Sequence, residues 1–346
     1  MKRIIRDYTK FESLNLFSAL QPAPGAGSLY DPKRRESFLA QIDAGLERAL
    51  NSESTLHGLR VQALFEHMVP SFRSVKLMKQ EDAGECYGDD VALPDYMVVT
   101  ANDERLLIEV KNHYGSDATR PFRLRSDDLR KLRTYATLVG TPLRIAVYWA
   151  RWNAWTLNDP GRFNENGRFV ELEFPIAMKE NSMIDLGDYM IATRYPLAVR
   201  MIADASKPRR VDADGRVAFT IGEVEILCDG RVIRDKAAHD LAFRFTLFGD
   251  WDYDGPRAEF EEERDLLAVV HSFEPRQKTP NQGFEMIGSL SSMFSKRYNM
   301  LTLREDGSVG SLKRFDDPSR LGPVIPDDYS SEDLPLWRFR LGPNLG

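Results

Sequence analysis

Residues 94–111 read Pro-Asp-Tyr-Met-Val-Val-Thr-Ala-Asn-Asp-Glu-Arg-Leu-Leu-Ile-Glu-Val-Lys. Two strand-like runs, 94–100 and 105–111, flank the polar stretch Ala101-Asn-Asp-Glu104, which suits a hairpin turn. Successive strand side chains point to opposite faces. Glu109 and Lys111 therefore share one face, while Ile108 and Val110 point the other way into a core. Folding the two strands together places Asp95 next to Glu109. Two carboxylates and one backbone carbonyl, that of Val110, make an oxygen-rich set that suits Mg²⁺ or Mn²⁺. A metal held there lowers the pKa of a bound water and neutralises charge on a phosphate. Lys111 is placed to position that water or to stabilise charge in the transition state. This is the set that metal-assisted phosphodiester cleavage needs. Pro326-Asp327 repeats one half of the pattern and Asp31-Pro32-Lys33 the other, but neither lies in a strand–turn–strand context.

The stretch resembles the core motif of the PD-(D/E)xK nuclease superfamily, with both halves present and in order. For about the first 180 residues the resemblance implies a restriction-endonuclease-like mixed sheet flanked by helices. It also implies a metal-dependent nuclease, with Asp95 and Glu109 as metal ligands and Lys111 as the third catalytic residue. Many members carry a helical glutamate ahead of the core, directed at the metal, and Glu66 stands at that place. Glu66 also reads as a solvated helix residue. The RecB-type branch has Gln-x-x-x-Tyr on a helix after the core. Here Lys131 replaces the glutamine and Tyr135 is kept. The resemblance favours DNA over RNA as the partner, in restriction, phage defence or repair.

The flanking residues are legible in their own right. Val61, Leu64, Phe65, Met68 and Val69 follow the spacing of a helix with one buried face, ended by Pro70. Ser126 reads as an N-cap, with Asp127 and Asp128 at the positive end of a helix that stops at Gly140. Leu129, Leu132, Ala136 and Val139 are its buried stripe, and Lys131 and Tyr135 share another face. Between core and helix lie Arg120, Arg123 and Arg125. From Arg105 to Tyr135 there are eight Lys/Arg against four Asp/Glu, whereas the whole chain has a formal net charge of −6. Such a local basic excess suits phosphate contacts that position a polyanion without reading its sequence. Tyr148, Trp149 and Trp155 read as core, together with Trp152, and His113 reads as a loop histidine close to Lys111.

At 346 residues, 42% hydrophobic and 29% charged, the chain has the composition of a folded protein with room for two domains. No apolar run approaches a membrane span, no signal peptide is expected, and Cys86 and Cys228 with five histidines give no zinc spacing. These features point to a cytoplasmic protein without membrane contact, and a homodimer is compatible with them.

The expected division is a nuclease-like domain over 1–180 and a β-rich domain over 185–346. In the second, Val224–Arg234 is a hairpin turning at Asp229-Gly230, and Leu241–Phe248, Leu266–Phe273 and Met300–Arg304 read as strands. A helix is expected from Thr279-Pro280 to about Arg297. Asp250, Asp252 and Asp254 read as a solvated turn rather than a Ca²⁺ loop. That half carries no catalytic spacing and would serve substrate selection, ligand sensing or assembly. Two other readings stay open: a non-catalytic nucleic-acid-binding or assembly protein on the same fold, and a ligand-activated effector nuclease.

Overall fold

Three helices open the chain, α1 (Ser13–Ala19), α2 (Pro32–Leu50) and α3 (Glu53–Ser71). The computed structural model describes residues 13–20, 28–81, 86–115, 117, 119–262, 264–312, 321–323 and 325–343. Asp31 caps α2 by accepting from the Lys33 N–H, and Ser52 caps α3 by accepting from the Thr55 N–H. Val61, Leu64, Phe65, Met68 and Val69 of α3 are all buried, as their spacing predicts.

The central sheet has the order β1-β2-β3-β5-β6. Its strands are β1 (Val75–Gln80), β2 (Tyr96–Thr100), β3 (Arg105–His113), β5 (Leu143–Trp149) and β6 (Ala154–Asn158). The first three form an antiparallel meander, β3 and β5 run parallel, and β5 and β6 are antiparallel. A parallel neighbour requires a crossover. Here it is made by β4 (Phe122–Arg125) and α4 (Ser126–Leu138). The result is the mixed sheet flanked by helices that the element order predicts. The alternation along β3 decides the layering. Leu106, Ile108 and Val110 pack with α3 on one side, and Leu107 packs with Leu129, Leu132 and Ala136 of α4 on the other.

The N-cap of α4 is Arg125 rather than Ser126. Arg125 is still paired across the ladder with Phe169, and the Ser126 N–H donates to the Arg168 carbonyl, so the helix cannot begin earlier. The strands β7 (Asn164–Asn166) and β8 (Phe169–Leu172) complete a small sheet with β4, and α5 (Phe174–Lys179) follows.

The second half adds β9 (Met190–Thr193), β10 (Leu197–Ala203), β11 (Ile221–Cys228), β12 (Arg231–Val232) and α6 (Lys236–Phe248). These are followed by β13 (Asp252–Glu262), β14 (Asp265–Glu274), β15 (Glu285–Ser289), α7 (Leu290–Thr302) and β16 (Leu336–Phe339). They form two antiparallel sheets, β12-β11-β10-β14-β13 and β15-β9-β16. Asp229 and Gly230 both have positive φ, as the tight hairpin between β11 and β12 requires.

Several expectations for this half are overturned. Leu241–Phe248 is helical: Asp235 caps α6, and Ala238, Leu241, Ala242, Phe245 and Phe248 form its buried face. Phe243 and Leu247, which alternation would bury, are 44% and 47% exposed. The segment carries both periods, and the 3.6-residue one meets Ile226, Cys228 and Ile287 across the core. The expected helix from Thr279 is a strand first, because residues 285–289 pair with β9. Helix begins only after Ser289, whose side chain accepts from the Ser292 N–H while Ser292 Oγ accepts from the Ser289 N–H. Met300–Thr302, read as strand, therefore closes α7. Asp252 and Asp254 lie in strand β13 rather than a turn and pair with Arg276 and Arg257.

Helix α7 is where the two halves meet. Its Phe294 and Tyr298 are buried in the core that contains Val61, Leu64, Phe65 and Trp155. The buried Arg60 guanidinium of α3 donates to Asn299 Oδ1 at 2.7 Å and Thr302 Oγ1 at 3.3 Å, and the Trp155 indole N–H donates to Ser295 Oγ at 2.9 Å. Among the described residues no helix is long and apolar enough to cross a membrane.

The segment leading into β9 is anchored on the first turn of α7. Asp188, largely shielded from solvent, accepts from the Ser291 N–H at 2.9 Å and from Ser291 Oγ. Burial pushes its carboxyl up to about 6, against the opposing pull of these hydrogen bonds. A carboxyl whose folded pKa lies above its unfolded value favours folding when protonated, so its contribution falls as pH rises from about 4 to about 6 and is flat above. Asp188→Asn, neutral at every pH, should therefore gain on wild type by roughly 2–3 kcal/mol between pH 4 and pH 7. Urea denaturation of both proteins at the two pH values checks this. A difference that does not change with pH would show that the carboxyl titrates normally.

Candidate active site

Strands β2 and β3 pair with Tyr96 opposite Ile108 and Val98 opposite Leu106. One further step of that register sets Asp95 opposite Glu109, as the hairpin predicts. Both carboxylates are buried, at 6% and 8% exposure. A buried carboxylate needs partners, and Asp95 finds them on two different elements. Its Oδ2 accepts from the Val110 N–H at 2.6 Å, and its Oδ1 accepts from the Gln62 side-chain amide of α3. The N–H and C=O of one strand residue point to the same edge, so the Val110 carbonyl is directed to the side where Asp95 lies.

Lys111, half-buried, stands on the same face as Glu109, with Nζ 2.5 Å from Glu109 Oε1. Burial pulls the ammonium pKa down, but Glu109 first, then Asp95 and Asp128, outweigh it and hold the pKa above that of an ordinary lysine. Lys111 is thus a fixed cation at neutral pH. It can donate hydrogen bonds and offset negative charge, and it cannot act as a general base.

Gln62 was not singled out from the sequence, although a signal existed. It lies four residues before Glu66, on the same face of α3. Among the described residues no three His, Cys, Asp or Glu side chains gather to hold a metal. The acids brought together are Asp95 and Glu109, and Glu66 sits one turn beyond Gln62 without completing a third corner. Two buried carboxylates and an adjacent carbonyl are hard oxygen donors, and on that chemistry the donor set fits a small divalent cation.

Val110, Lys111 and Gln62 line a cleft of about 690 Å³. The turn Asp306-Gly307-Ser308, contributed by the second half of the chain just after α7, lines the same cleft. Sequence reading gave no hint of this, since the turn is close only because α7 packs on α3.

The residues expected to contact phosphate, Arg120, Arg123, Arg125, Lys131 and Tyr135, do not line this cleft. Arg123 pairs with Glu171 at 2.6 Å, and Arg120 and Arg125 are exposed. Lys131 pairs with Asp127 at 2.9 Å. The Tyr135 hydroxyl donates to Glu81 Oε1 at 2.6 Å, and burial, then this carboxylate, pushes its phenol up to about 12. His113 packs edge-on to Trp149, and its pKa is lowered by burial.

No family model and no curated protein matches this chain. Among solved structures, the Holliday junction resolvase Hjc of the archaeal hyperthermophile Archaeoglobus fulgidus is 16% identical to it, with a TM-score of 0.25, over 33% of this chain and 88% of that one.

The Glu109–Lys111 pair should couple more strongly than an exposed pair, because the Glu109 side chain is almost wholly shielded. A double-mutant cycle with Glu109→Gln and Lys111→Met is expected to return roughly 1–3 kcal/mol of coupling by urea denaturation. A coupling near zero would mean that the pair is not formed in solution.

Proposed function

We propose that this chain is a metal-dependent nuclease that hydrolyses phosphodiester bonds, with DNA as the substrate. The observation that carries the reading is one juxtaposition. Two buried carboxylates from adjacent strands, Asp95 and Glu109, stand behind a lysine held protonated, and that lysine lines an open cleft whose lining includes neither acid. A buried pair of acids next to a fixed cation costs stability unless something else is bound there, and this cost is a mark of sites selected for chemistry. The preference for DNA rests on the motif resemblance.

In this reading Asp95, Glu109 and the Val110 carbonyl would hold Mg²⁺ or Mn²⁺. The ion, when bound, supplies a water of lowered pKa and neutralises charge on the phosphate. The protein's own residues do the rest. Gln62 and the Val110 N–H each donate to one oxygen of the Asp95 carboxylate and so fix its orientation. Lys111 donates to the attacking water or to a non-bridging phosphate oxygen and offsets the charge that grows in the transition state. Glu109 holds the ammonium in place until substrate arrives. The exposed Arg125 and Arg120 lie outside the cleft and would act on the approach of a polyanion rather than on the chemistry.

Purified protein should nick plasmid DNA in Mg²⁺ or Mn²⁺ and be inert in EDTA. Asp95→Ala, Glu109→Ala and Lys111→Ala should each lose roughly a hundredfold or more of the cleavage rate, and Gln62→Ala roughly tenfold, since it positions Asp95 rather than touching substrate. A wild type that cuts neither DNA nor RNA with either ion would overturn the reading. Cleavage that survives Lys111→Ala would move the site elsewhere.

A further inference from the structure

The cleft beside Lys111 contains two aromatic rings that the phosphodiester chemistry does not use. His57 of α3 and Tyr114, three residues beyond Lys111, stack with ring centroids 5.3 Å apart and planes inclined by 26°, and both line the cleft. Tyr114 is 69% exposed, so one ring is open to solvent. A large exposed aromatic ring held by a partner ring in a cleft wall is a stacking platform in search of a planar ligand. Burial, then the nearby Arg60 charge, lowers the His57 pKa, which keeps the imidazole neutral at pH 7 and able to stack without a counter-ion.

A second observation sits next to the first. Asn112, on β3 between Lys111 and the aromatic pair, also lines the cleft. Its Oδ1 is shielded from solvent and accepts no hydrogen bond among the described residues. A shielded amide oxygen without a donor is costly, and a planar heterocycle whose exocyclic amino group drew this side chain toward the cleft would relieve that cost. The charges of the lining point the same way. Glu53 and Asp306 share the lining with Lys111, its one Lys or Arg, and two hydrogen bonds from Ser308 hold Asp306 below the usual carboxylate range and ionised. A wall with two acids and one such cation cannot take the two phosphate rows of a duplex. It can take one phosphate at Lys111 with the attached base turned toward the rings.

We infer that the His57–Tyr114–Asn112 corner is a nucleobase pocket, so that the strand engaged at Lys111 is unpaired at the nucleotide beside the scissile phosphate. In a duplex both faces of a base are covered by its neighbours, and Tyr114 can be reached only by a base that has left the stack. The volume of about 690 Å³ belongs to the size class of small-ligand pockets, roughly 300–1,000 Å³. This assignment rests on the nuclease reading for the phosphate at Lys111, while the stacking itself does not need cleavage.

Binding separates the two. Full-length protein in EDTA is titrated by fluorescence anisotropy against a labelled single-stranded oligonucleotide and the same strand in duplex. Wild type should favour the single strand. Tyr114→Ala should weaken that complex about tenfold and leave the duplex unaffected, while Tyr114→Phe, which keeps the ring, stays within about twofold of wild type. Because Tyr114 is largely exposed, the variants should melt with wild type, which a thermal scan verifies. Duplex bound as tightly as single strand, or a Tyr114→Ala protein that binds the single strand like wild type, overturns the pocket. A Tyr114-dependent preference in a protein that cuts nothing with Mg²⁺ or Mn²⁺ upholds the pocket and removes the nuclease reading alone.

Discussion

The carboxylate of Asp95 is the joint on which the first half depends. One oxygen takes the Val110 N–H and the other the Gln62 amide, so a single buried group joins β2 to β3 and the sheet to α3. Such a charge is expensive to desolvate, and those two donors compensate for it only if all three elements are in register. The same constraint aligns Asp95 with Glu109, presents Lys111 beside them, and leaves the Val110 carbonyl on the shared edge. Register, helix placement and site geometry are therefore one condition, not three.

A comparable condition holds the two halves together. Arg60 is a buried cation whose partners in α7 are an amide oxygen, a hydroxyl and the face of Tyr298 rather than a carboxylate. A guanidinium among neutral acceptors tolerates little displacement, and its pKa is lowered by burial. Phe294 and Tyr298 fill the same core as Leu64 and Phe65. The turn at Asp306 thus reaches the cleft because α7 is keyed into α3. The second half of the chain so supplies part of the lining of the cleft.

Where the sequence was legible, the physics was local. The 94–111 hairpin, the stripe of α3 and the Asp229-Gly230 turn each follow from neighbours within a few residues. Where it misled, two local patterns competed and the distant partner chose. Phe243, Phe245 and Leu247 alternate as a strand would, yet the face met by Ile226 and Ile287 is the helical one. At 279–297 a proline suggested a helix start, but pairing with β9 held the backbone extended as far as Ser289.

By itself the sequence determined which charged side chains the hairpin brings together: Asp95, Glu109 and Lys111, on strands whose alternation sets which face they share. It also determined the order of helices and strands that makes the central sheet mixed. Only the tertiary structure decided that Gln62 supports Asp95, that Asp306 lines the cleft, that His57 stacks on Tyr114, and that the arginines of 120–125 stand outside. The reason is range. Facing along a strand or helix is set by backbone geometry within a few residues, whereas these contacts join segments from 33 to about 200 residues apart, and their formation depends on which buried surfaces find each other.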